Sequence, residues 1–139
     1  MATRNTFPSS FFSSPLTIEQ LIYVLDLLKR CGFPQTRWHE LGLRLGLHKN
    51  TLEAIGKNHP GDVSRCLTET LSKWLSRADN VDSKGGATFD SLSDALKSMN
   101  ENAAADKLDQ ESKLISLIVL VLTVCVCVLN VTLVMLISE

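Results

Sequence analysis

The sequence predicts an all-α chain: a six-helix antiparallel bundle followed by a single transmembrane helix. Three observations carry this expectation. Apolar residues from Trp38 to Leu75 recur at helical spacing in three successive short runs. Polar turns containing Gly or Pro separate these runs from each other and from similar runs on either side. The stretch from Leu114 to Ile137 is 24 residues long and carries no charge.

Residues 1–15, rich in Ser, Thr and Phe with two prolines, read as a flexible lead-in to a domain spanning 16–111. The lead-in has no apolar core of the kind a secretory leader needs, so the domain is expected on the cytosolic side. Thr17-Ile18-Glu19-Gln20 has capping-box spacing. The first helix then carries Ile18, Leu21, Ile22, Leu25 and Leu28 on one face, with Gly32 at its end and Pro34 preventing continuation. Thr36 is the expected cap of the second helix, in which Trp38, Leu41 and Leu45 stand at i, i+3 and i+7. Gly42 and Gly46 lie inside that pattern, where each interior Gly costs up to ~1 kcal/mol relative to Ala; close helix approach is the expected reason for Gly42. Asn50 with Glu53 offers a cap for a third helix carrying Leu52 and Ile55.

Asn58 to Asp62 reads as a turn ending in an acid suited to a helix N-terminus. Val63, Cys66, Leu67, Leu71, Trp74 and Leu75 then form the fullest apolar stripe, on a fourth helix expected to reach about Ala78. After a polar loop with Gly85-Gly86, Thr88 caps a fifth helix whose face is Phe89, Leu92, Ala95, Leu96 and Met99. A sixth begins near Glu101 and is apolar through Ala104, Ala105 and Leu108. The core is therefore expected from Leu25, Trp38, Leu41, Leu45, Ile55, Cys66, Leu67, Leu71, Trp74, Phe89, Leu92 and Leu96.

Segment 112–139 is the expected membrane helix, with a span of about 114–137. As a helix the uncharged stretch measures ~36 Å, enough to cross a hydrocarbon core of ~30 Å with tilt. The reading is a tail-anchored chain. The residues after the span include no base, which points toward the endoplasmic reticulum or later membranes. Asn130 is the informative polar group in the span, because an amide in lipid gains from a partner across a helix pair; it is expected to favour self-association.

Several function classes are excluded by what the chain lacks. His39, His48 and His59 share no helix face, the four cysteines form no CxxC pair, and there is no glycine-rich phosphate loop or recognisable nucleophile setting. An enzyme is not expected, and no cofactor or metal is implied. Cys66 lies on the apolar stripe and reads as a small core hydrophobe. Before Lys113 the chain holds 13 basic and 14 acidic residues, a balance that exerts no general pull on nucleic acid.

The distribution of charge says more. Nine basic residues face six acidic ones from Leu16 to Arg77, whereas three basic face eight acidic from Ala78 to Glu111. A small bundle polarised in this way suits head-to-tail contacts between unlike surfaces. The candidate interaction residues are Arg37, Arg44, Lys49, Lys57 and Arg65 on the basic side, and Asp90, Asp94, Glu101 and Asp106 on the acidic side.

The central helices also carry a family resemblance. Trp38, Leu41-Gly42 and Leu45-Gly46-Leu47 resemble the second helix of a death domain. Ile55, Asp62, Cys66-Leu67 and Trp74-Leu75 resemble its third-to-fourth helix run, and Thr88-Phe89, Leu92, Ala95-Leu96, Ala104-Ala105 and Leu108 its last two helices. Phe89 stands where the family often has Trp. The resemblance covers roughly Leu16 to Gln110 and implies a six-helix fold that binds other death-domain proteins through asymmetric, charge-rich surfaces. Together with the span, it implies a membrane-tethered adaptor or decoy in apoptotic or innate immune signalling, acting as a homo- or hetero-oligomer. The alternative is a membrane-anchored DNA binder: Glu40 to Ile55 resembles a helix-turn-helix, with Gly46 at the turn and His48, Lys49, Asn50 and Thr51 opening a reading helix. The acidic fifth and sixth helices argue against it, and no nucleic-acid partner is expected.

Overall fold

A computed structural model describes residues 15–138; the lead-in expected over 1–15 falls, but for Pro15, outside the described residues. Among the described residues there are six α-helices and no strand. They are α1 (Leu21–Cys31), α2 (Trp38–Arg44), α3 (Lys49–Asn58), α4 (Val63–Leu75), α5 (Phe89–Ser98) and α6 (Asn102–Ile137), with short 3-10 turns over 18–20, 35–37 and 82–84.

The first helix opens through the turn 18–20, where the Thr17 backbone N–H donates to Gln20 Oε1 at 2.8 Å. It closes at Gly32, whose φ of 83° is open to glycine at no steric cost. Its buried face is Val24, Leu25, Leu27, Leu28 and Cys31. Ile18 and Ile22, expected on that face, are 45% and 69% exposed. At 100° per residue Ile22 lies about 160° around the helix from Val24, so burying Val24 turns it to solvent.

Two expected caps are displaced. Thr36 sits inside the 3-10 turn, and α2 starts two residues after it with no side-chain cap. Asn50 lies within α3, whose N-cap is His48. Asp62 and Thr88 do cap α4 and α5, accepting from the backbone N–H of Arg65 at 2.9 Å and of Ser91 at 3.1 Å. Helix α4 ends at Leu75, three residues short of the expected Ala78. Gly46 is not interior to α2: the helix has ended, and Gly46 turns the chain at φ 101°.

Helix α4 is the hub, packing against α1, α2 and α3; α2 also meets α3 and α5, and α6 covers α1 and α5. Trp74, in the last turn of α4, is fully buried, together with Leu41, Leu52, Leu67, Leu71, Leu92, Leu96 and Leu108. Leu25, Leu45, Ile55 and Cys66 join the same core. Trp38 and Phe89, expected inside, are only partly buried at its edge. Each is the first residue of its helix. Gly42 allows the close approach that its position implies. A Cβ there would stand 2.5 Å from Leu52 Cδ2 and 3.0 Å from Thr70 Cγ2.

The sixth bundle helix and the apolar stretch form one unbroken helix of 36 residues, so the boundary expected at 112 falls in mid-helix. No Gly or Pro occurs between Glu101 and Ser138, and nothing local interrupts the hydrogen-bond ladder. Ala104, Ala105, Leu108 and Ser112 are buried against the bundle. Beyond Ser112 the helix leaves the bundle, and its apolar part is a candidate membrane span.

Candidate functional site

Among the described residues no group of three or more His, Cys, Asp or Glu is placed to hold a metal ion. The informative surface is the charged exterior of α2 to α6, and side-chain pairing sorts the candidate residues into committed and uncommitted groups.

Arg37 is committed. Its guanidinium donates from Nη2 and Nε to the Glu40 carboxylate at 2.6 and 3.0 Å, and from Nη1 to Glu101 at 2.5 Å and to the Met99 carbonyl at 3.1 Å. The hydrogen bonds to Glu40 and then Glu101 push its pKa above the ordinary arginine value. Arg37 and Glu101, expected on opposite surfaces, instead form one clamp between the start of α2 and the α5–α6 turn. The reason is topological: residues 64 positions apart become neighbours when α5 returns alongside α2.

Arg44 is nearly free. Among the described residues its one ion pair is a 3.9 Å approach to Glu40, on the same helix face. With Leu43, itself 42% exposed, Arg44 lines an open cleft between α2 and α5 that also holds Lys84 and Asp94. A basic and an acidic candidate thus share one face, so the expected division into opposed surfaces does not hold here. Lys49 pairs at 3.5 Å with Glu53 one turn along α3. Lys57 and Arg65 are exposed and make no ion pair among the described residues; they flank the α3–α4 turn.

On the acidic side, Asp90 and Asp94 line a second cleft between α5 and α6 with Phe89, Lys97, Asp109 and Lys113. Lys97 is held there by Asp109 at 3.1 Å, which raises the lysine pKa, with smaller contributions from Asp94 and Asp106. Asp106 is exposed on α6. The uncommitted charges are therefore Arg44, Lys57 and Arg65 on one hand and Asp94 and Asp106 on the other.

A residue outside the candidate set organises this surface. Asp79, in the loop after α4, accepts from the His48 backbone N–H and from the Thr51 hydroxyl, both at 2.8 Å. It caps α3 from 31 residues away, and those two hydrogen bonds, the backbone one first, hold its carboxyl below the usual range. Its φ of 55° is a conformation Asp tolerates better than most residues. No local spacing connects Asp79 with His48, so only the fold reveals the cap.

The family model of the death domain matches residues 18–112 of this chain. No curated protein and no solved structure matches it.

Proposed function

Because the chain belongs to the death-domain family, whose members are protein-interaction modules of signalling rather than enzymes, we propose that it is a membrane-tethered adaptor or decoy that binds other death-domain proteins. The observation that carries the reading is the coexistence of uncommitted charges of both signs on one small bundle. Arg44 and Asp94 border the α2–α5 cleft, and Lys57 and Arg65 border the α3–α4 turn. Such a surface meets an unlike surface on the next domain and continues, giving rings or stacks rather than a closed pair.

The tether is the apolar part of α6. Holding domains at a cytosolic membrane face, at the endoplasmic reticulum or a later compartment, raises their effective concentration, so that weak contacts suffice for assembly. In this reading the output comes through the partner recruited, or through competition for it, in apoptotic or innate immune signalling.

The DNA reading loses support at α3. The backbone N–H of His48 and the Thr51 hydroxyl, at the opening of this helix where a phosphate would bind, already meet the Asp79 carboxylate, whose charge would repel one.

The test uses the full chain in detergent or lipid as bait for cytosolic proteins identified by mass spectrometry, with Arg44→Glu in parallel. Death-domain proteins captured by the native chain and lost with Arg44→Glu, at unchanged helicity, support the adaptor reading. Equal capture by both removes Arg44 from the interface, and capture of no death-domain protein by either overturns the adaptor.

A further inference from the structure

The apolar part of α6 is one face richer than a plain anchor requires. Ser116, Leu120, Thr123, Cys127, Asn130 and Val134 recur at alternating steps of four and three. That is the period of a left-handed helix pair, and it keeps one stripe turned toward a partner along the whole span. Of the hydroxyl and amide groups between Leu114 and Ile137, only Thr132 lies off this stripe.

The helix satisfies some of these groups itself. Thr123 donates to the Val119 carbonyl and Thr132 to the Val128 carbonyl, both at 2.8 Å. Asn130 has no such recourse: its side-chain amide finds no partner among the described residues. In hydrocarbon an unpaired amide is costly, and an identical amide at the same depth supplies both a donor and an acceptor.

We infer that α6 pairs with the α6 of a second copy of this chain, parallel and in register, along this stripe. The inference rests on the membrane reading above. Copies inserted in one orientation carry their Asn130 amides at the same depth, so an isologous contact brings them face to face. Continued into the domain, the stripe passes through Asn102, Asp106, Asp109 and Lys113, which are exposed or partly exposed, while the domain packs on Ala104, Ala105, Leu108 and Ser112. Asp109 is already taken by Lys97 of α5, and facing Asp106 carboxylates would repel, so the close contact ends at the membrane surface and the two domains stand apart, free to recruit.

The native cysteines provide the test. Cys127 lies on the stripe; Cys125, two residues earlier, lies about 200° around the helix and points away from it. Cys31 and Cys66 are buried in the bundle, and burial raises the pKa of both thiols. The full chain is reconstituted in phosphatidylcholine vesicles, washed with alkaline carbonate, oxidised with copper phenanthroline and run on a non-reducing gel. Disulfide-linked dimer is expected from the native chain and from Cys125→Ser, and not from Cys127→Ser. Asn130→Leu is expected to weaken association on the order of three- to thirty-fold, whereas Thr132→Leu leaves it unchanged. Dimer that persists in Cys127→Ser, or no dimer from the native chain, overturns the pairing while leaving the anchor intact. Release of the chain by the carbonate wash overturns the membrane reading and the pairing with it.

Discussion

At Asp79 one carboxylate ties the loop after α4 to the opening of α3, and its charge matters as much as its shape. Asp79→Ala removes a helix cap and places Ala at positive φ, so a loss of about 2 kcal/mol is expected in denaturant unfolding. Asp79→Asn keeps an acceptor and tolerates the same backbone, and should lose clearly less. The carboxyl titrates below its ordinary value in the folded chain. Its charge therefore stabilises the fold fully above the usual aspartate pKa of about 4, and that contribution fades as pH falls through the lowered value. The stability gap between the native chain and Asp79→Asn should accordingly be constant near neutrality and close below pH ~4; a gap independent of pH would show that the charge is idle. Arg37 differs from Arg44 in the same way. Arg37→Ala cuts the links to Glu40, Glu101 and Met99 and should lower the thermal midpoint, while Arg44→Ala, whose nearest ion pair is at 3.9 Å, should leave it unchanged.

At the scale of the element, Gly42 shows propensity and packing pulling in opposite directions. Gly42→Ala gains helix propensity of up to ~1 kcal/mol. The added methyl, however, meets Leu52 and Thr70, both fully buried and neither able to swing into solvent. Overpacking of this kind costs about 1–3 kcal/mol, so a net destabilisation of about 1 kcal/mol is expected by denaturant melting. A stabilised Gly42→Ala would mean that α2 and α3 part more readily than their contact implies. Helix α6 couples two environments in one element: its first three turns close the bundle, and the rest is a candidate span. Leu108 is fully buried in the part that closes the bundle, and Leu108→Ala should cost about 2–5 kcal/mol. The equivalent change at Leu129, exposed on the apolar part, should leave the stability of the bundle unaltered.

For the whole molecule, the continuity of α6 means that no loop separates the bundle from the apolar stretch that follows it. Ser112 is buried in the bundle and Leu114 begins the uncharged stretch, with Lys113 between them. Five Gly/Ser residues inserted after Lys113 should leave the melting of the bundle unchanged. If assembly depends on a fixed stance at the membrane, the same insertion should weaken clustering of the full chain on vesicles. Clustering that survives the insertion would show that confinement alone is enough.

The helical spacing of apolar residues by itself determined most of the fold. Periodicity placed the six helices, and the buried stripe of α4 and the caps at Asp62 and Thr88 follow from residues close to each other along the chain. Local signals stop at local distances. The outward turn of Ile22, the partial exposure of Trp38 and Phe89, and the cap of α3 by Asp79 depend on which face each helix gives to its neighbours. The charge surface was legible only as a count. Summed along the chain, Arg37 and Glu101 belong to opposite halves; folded, they neutralise each other, while Arg44 and Asp94 come to share a cleft. Periodicity is written in neighbouring residues and survives in any context. The pairing of charges is decided by tertiary approach, because a charge is available to a partner only if no residue brought in from elsewhere in the chain has already taken it.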